Sequence, residues 1–265
     1  LTLGKASPYL VNAFGSENWR VNVTIASLLA AVGAVLVLLF VREGPYALPN
    51  QPFDIRQVSQ VFTNRGVRLA NFGYFGHMWE LYAMWAWAPV MIRASLAKTG
   101  DSAVFAEAAS FVVIGAGAIG CVVAGRIADR IGRPIVASAA MAVSGACCLL
   151  TGFFYGGPAI ALLVIAAIWG ASVVADSAQF SACVTELGDP RYMGTALTMQ
   201  TCIGFLITTI SIGIMPRVVD LLGWRYAFSV LAIGPILGIV AMMRLKAMSA
   251  GALQGLATKT SSAPG

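Results

Sequence analysis

Apolar side chains run almost unbroken through seven stretches of the 265-residue chain, near 20–41, 69–93, 103–124, 134–154, 159–185, 192–215 and 226–243. Each supplies the ~20 residues that a helix needs to cross a bilayer. A shorter apolar run fills 1–14 and reads as part of one more crossing. The one long polar connection, 42–68, carries three prolines. Within it Asp54 is placed to cap an interfacial helix with Ile55, Val58 and Phe62 on one face. The tail, 247–265, is small and polar, which predicts disorder. The pattern predicts an all-α fold, a polytopic transmembrane helical bundle. It divides into a helix pair over 1–41, a linker over 42–68, a six-helix unit over 69–246 and the tail.

Composition agrees, with 58% apolar residues, only 11% charged and a mean hydropathy of +0.81; soluble domains carry about 25% charged residues. The net charge of +6 gains meaning from its distribution. The segments 42–68, 125–134, 186–191 and the C-terminus hold eleven of the lysines and arginines, the opposite segments hold five, and Lys5 lies within the first run. By the positive-inside rule the first set, with the C-terminus, is cytoplasmic, so the basic balance needs no nucleic-acid partner. The five cysteines all fall in apolar runs without a CxxC or Cys/His spacing, which predicts packing residues and no metal site. The chain opens on Leu1 with no basic n-region and cleavage site, so no signal peptide is expected.

PYLVNAFGSENWR (8–20) and PRVVDLLGWR (216–225) share Pro, Val, Asn/Asp and Gly at equal offsets, followed by Trp-Arg. Both open helices that run inward, so the repeat is parallel. GRIADRIGRP (125–134) closely resembles the G-x-x-x-D-R-x-G-R-[RK] signature of the major facilitator superfamily. Gly125, Asp129, Arg130, Gly132 and Arg133 match, and Pro134 stands where a final basic residue is usual. Two halves related by a parallel repeat belong to the same family's architecture. The resemblance implies that fold, N-terminally truncated: the last two helices of the first half, the linker and the second half. It also implies a monomeric secondary transporter of the bacterial inner membrane, with the motif as a cytoplasmic latch. In that loop the glycines permit a tight turn, while Asp129 is placed to hold arginines and a helix N-terminus. The general look is also similar to nitrate/nitrite-like and other anion permeases, implying a small inorganic or organic anion as solute. The glycine-rich signature of true nitrate carriers is not visible.

Ionisable residues inside spans cost ~2.5–3.5 kcal/mol on insertion scales and mark function; Lys5, Glu80 and Asp176 stand out. At 100° per residue, His77, Glu80, Met84 and Trp87 share an arc of about 80° on the 69–93 helix. Phe75, Trp79, Tyr82 and Trp85 lie on other faces, suited to lipid or helix packing. Glu80 is ~16 Å along the axis from Leu69, near the midplane, and the i,i+3 spacing predicts that His77 shares or relays its proton. On the 159–185 helix Asp176 and Gln179 share a face with Trp169, Ser172 and Cys183, and are predicted to line the transport path. Gln200 is a weaker candidate. Lys5 is predicted to lie deep and to need a carboxylate or an anionic solute as partner.

GAGAIG (115–120) satisfies G-x-G-x-x-G, but inside an apolar helix with no preceding strand it predicts close helix packing, not dinucleotide binding. One histidine cannot supply an H-E-x-x-H metal site, and neither G-x-S-x-G nor a phosphate-binding loop is present. No enzyme activity or cofactor is expected. A transporter-like membrane sensor is the competing expectation.

Overall fold

In the computed structural model, residues 2–13, 19–42 and 62–261 are described. The long helices are α1 (Thr2–Ala13), α2 (Trp19–Phe40), α3 (Arg65–Thr99), α4 (Ala103–Ile131), α5 (Arg133–Leu150), α6 (Ala159–Ala175), α7 (Ser177–Leu187), α8 (Met193–Ala227) and α9 (Ile233–Ser261). Short 3-10 turns link several of them, and no strand occurs among the described residues. Lipid offers no partner to a backbone amide, so a chain this apolar satisfies its N–H and C=O groups within helices. Among the described residues, five helical stretches are long and apolar enough to cross a membrane, and the last of these, Pro190–Met248, contains both α8 and much of α9.

Local sequence sets the ends. Asn64 caps α3, its Oδ1 accepting from the N–H groups of Gly66 and Val67, and its Nδ2 donates to the carbonyl of Leu187 on α7. Ser102 caps α4 through Phe105 N–H. Asp189 caps the short turn before α8; hydrogen bonds from the Arg191 side chain and backbone hold its carboxyl below the usual range. Gly132, at φ 94°, turns the chain between α4 and α5, a conformation that only glycine adopts without strain.

Four boundaries differ from the sequence expectation. α3 begins at Arg65 and ends at Thr99, absorbing the end of the predicted linker; most of that linker, with its Asp54-capped helix, lies outside the described residues. The 159–185 helix is interrupted at Asp176, where Gln179 N–H bonds the Asp176 carbonyl in a tighter three-residue link. α8 runs past 215 and through Pro216 until Gly223, at φ 66°, breaks it. α9 stays helical to Ser261, through the tail predicted to be disordered; the Ala, Leu, Gln and Lys residues there are strong helix formers.

α3 forms the axis of the bundle, packed by α4, α6, α7, α8 and α9. One core gathers Leu81, Met84, Ile92, Ile114, Trp169 and Phe228, and another gathers Val67, Tyr74, Met141, Phe180 and Met242. α1 packs on α4, whereas α2 is exposed along nearly its whole length. Between helices in lipid, close packing and small residues replace the hydrophobic effect as the cohesive force. A Cβ on Gly76 would collide with the Gly234 carbonyl oxygen, and one on Gly170 with that of Val113. Gly120 of the GAGAIG segment meets the Ala171 carbonyl in the same way, so this run serves the close approach of α4 and α6.

Candidate functional site

Asn71, His77 and Glu80 of α3 are buried among its neighbours, at three levels. Highest of the three along the helix is Glu80, 1% exposed. Its Oε1 accepts from Trp169 Nε1 at 2.6 Å and from Cys148 Sγ at 3.1 Å, and its Oε2 accepts from Ser144 Oγ at 2.9 Å. Three neutral donors from α5 and α6 thus enclose one carboxyl group. Hydrogen bonds of this kind to an ionised acceptor are shorter and stronger than neutral ones.

One turn earlier, His77 Nδ1 lies 2.9 Å from Asp176 Oδ1, with both side chains almost fully buried. The approach is close, but the two atoms are not aligned as a hydrogen bond, since Asp176 Oδ1 lacks a hydrogen-bond partner; His77 Nε2, on the other side of the ring, lacks one too. The ring is flanked by Phe180 and Tyr74, centroids 5.5 and 6.0 Å away. Asp176 sits at the break between α6 and α7, and interrupted helices with freed backbone groups are where transporters place their sites. At the third level Gln200 Nε2 donates to Asn71 Oδ1 at 3.0 Å and Ser181 Oγ donates to Gln200 Oε1 at 3.3 Å.

The predicted His77–Glu80 relay is therefore corrected. The residues share an arc, but α5 and α6 supply donors to one while the α6–α7 break supplies an acid to the other. Met84 is wholly buried in the core, and Trp87, half-buried, donates to the Ile212 carbonyl and packs near Trp224. Gln179 is likewise buried and accepts from Arg133 Nη1 at 3.3 Å. Lys5 is exposed, with Nζ 5.7 Å from the Tyr82 ring centroid, which sets it level with a residue two positions from Glu80. Tyr82 was expected on a lipid or packing face; it stacks edge-on with Phe205 and Trp85 beneath that lysine.

Sequence reasoning missed a further cluster. Arg93 and Glu107 form an ion pair between α3 and α4, and Asn12 Nδ2 of α1 reaches Glu107 at 3.4 Å. Glu107 lies inside an apolar run, the same signal that singled out Glu80. Ser144 and Cys148, spaced i,i+4, were legible as a polar stripe on α5.

The sequence model described as Major Facilitator Superfamily matches residues 5–212. The chain belongs to the major facilitator superfamily. Its fold is similar to the crystal structure of a variant of the E. coli fucose:proton symporter FucP, with a TM-score of 0.63 at 20% identity. The alignment covers 86% of this chain and 54% of that one, so the chain spans about half the length of its structural neighbour. No curated protein sequence matches it. With the family shown, the chain is part of an integral membrane protein.

The superfamily motif lies at the α4–α5 turn. Gly125 is in the last turns of α4, and Asp129 and Arg130 are exposed. The expected hold of Asp129 on the arginines is corrected: Arg133 Nε meets Glu186 Oε1 of α7 at 2.7 Å. The turn at Gly132 carries Arg133 to the Glu186 carboxyl of α7. Asp129, Gly132, Arg133 and Glu186 rim a cavity of about 380 Å³.

Proposed function

We propose that the protein is a secondary active transporter that moves a small anionic solute by alternating access and couples it to protons through Glu80. The observation that carries this reading is the enclosure of the Glu80 carboxyl by an indole, a hydroxyl and a thiol, with no cation paired to it among the described residues. A charge held so has no fixed counter-charge, and a proton is the mobile one that a membrane supplies. The proton symport of the structural neighbour supports coupling of this kind. Lys5, exposed above the Tyr82 ring, is the proposed counter-charge for the solute. The proposed topology puts the motif and the C-terminus in the cytoplasm of a bacterial inner membrane, with 42–68 as linker between two halves.

The test is uptake of nitrate and small carboxylates into proteoliposomes under an imposed pH gradient. Glu80→Gln keeps an amide oxygen for the indole and is expected to abolish pH-driven accumulation while solute exchange continues. Accumulation at the wild-type level in this variant overturns the coupling. Solute binding without any flux in the wild type favours a sensor.

A further inference from the structure

A groove of about 610 Å³ runs along the outer side of α3, α8 and α9, away from the buried acids. Phe72, Phe75, Trp79, Ile233 and Leu237 are among its walls, and its one charged lining residue is Arg244. The antiparallel register of α3 and α9 places that arginine. Gly76 meets Gly234, Gly73 meets Met242 and Gly66 meets Met248, so Arg244 is level with Leu69 and Phe72 at the N-terminal end of α3. Arg68, also exposed, adjoins Leu69 at this end. At the far end Trp79 is fixed by its Nε1–H to the Val230 carbonyl. From Ile233 to Arg244 the helix rises ~16 Å, and half of a ~30 Å hydrocarbon core is ~15 Å. The groove is thus one leaflet deep, apolar through its length and cationic at one end only.

We infer that this groove binds an anionic phospholipid, with one acyl chain along Phe75, Trp79 and Leu237 and the phosphate at Arg244. Length and charge both fit. A chain that ends at the midplane fills the apolar part, and the arginine meets the headgroup where the leaflet's negative charge lies. On the proposed topology this is the cytoplasmic leaflet, but the inference rests on the groove and not on any transport activity.

The test is tryptophan quenching by phosphatidylglycerol and phosphatidylcholine with brominated acyl chains, added to the purified protein in micelles. Trp79→Phe isolates the Trp79 signal by difference. Near a membrane surface each basic residue contributes about 1 kcal/mol with anionic lipid, so phosphatidylglycerol should half-quench Trp79 at about fivefold lower mole fraction than phosphatidylcholine. Arg244→Gln should remove that preference, and Leu237→Phe, which narrows the groove but keeps the cation, should weaken quenching by both lipids. Equal quenching by the two lipids in the wild type, or an unchanged preference in Arg244→Gln, overturns the inference. So does a Trp79 signal that neither lipid reaches, which would mean that a second copy of the chain covers the groove.

Discussion

The hydrogen bond from Trp169 to Glu80 yields a sharp energetic prediction, because each partner can be changed without removing the other. Trp169→Phe deletes the Nε1–H that lies 2.6 Å from Glu80 Oε1 and leaves a void beside Phe228, whose ring centroid is 5.0 Å away. A full Trp→Ala truncation costs ~3–5 kcal/mol, so the partial void is worth ~1–2 kcal/mol. A hydrogen bond to an ionised acceptor is worth ~1.5–3 kcal/mol and a neutral one ~0.5–1.5. Trp169→Phe should therefore destabilise the wild type by ~2.5–5 kcal/mol. In a Glu80→Gln background the void is the same but the lost bond is neutral, giving ~1.5–3.5 kcal/mol. The double-mutant cycle cancels the void and leaves a coupling of ~1 kcal/mol, above the ~0.3–0.5 kcal/mol scatter of independent sites. Reversible unfolding in mixed detergent micelles measures all four corners. A coupling within that scatter would refute the assignment of a charge-assisted hydrogen bond between the indole and Glu80.

Two further predictions concern the packing around this site. His77→Ala and Asp176→Ala should each cost ~1–3 kcal/mol in detergent stability, as expected when one of two facing buried polar groups is removed. The double variant should lose clearly less than the sum, and strict additivity would show that the 2.9 Å approach is not an interaction. Gly76→Ala should destabilise by ~1–3 kcal/mol or more through overpacking, since its Cβ meets the Gly234 carbonyl, whereas a Cβ on Gly125 meets open space. Gly125→Ala should change stability by no more than ~0.5 kcal/mol or improve it, and equal effects at the two positions would refute the tight α3–α9 crossing.

The fold was legible because lipid imposes few choices: runs of apolar residues at spanning length become helices, and the motif at 125–134 names the family that arranges them. The burial of His77, Glu80 and Met84 was not legible from their shared arc alone, since Trp85, on another face of the same helix, is buried as well. What helical periodicity does not encode is which neighbour lies across from each face. The arc of α3 is wide enough for Glu80 to meet Ser144 and Cys148 while His77, three residues away, meets Asp176. The break at Asp176 was equally hidden, since no glycine or proline marks it. Gly223 did mark the end of α8, though the apolar run alone placed that end eight residues earlier.

That break changes how the motif and the buried polar residues are related. Trp169 and Asp176 lie on one predicted helix, but only Trp169 belongs to the continuous ladder of α6; Asp176 stands where it stops and α7 starts. Arg133 of the motif holds α7 at Glu186 and Gln179, and Gln179 N–H bonds the Asp176 carbonyl at 2.9 Å. Asp176 in turn faces His77. A continuous run of contacts therefore links the α4–α5 turn through α7 to the His77–Asp176 pair. Glu80 is held by α5 and by α6, where Trp169 lies seven residues before the break. The two buried acids thus differ in what holds them: Asp176 is tied to the α4–α5 turn through one short helix, and Glu80 to the packing of α5 and α6 on α3.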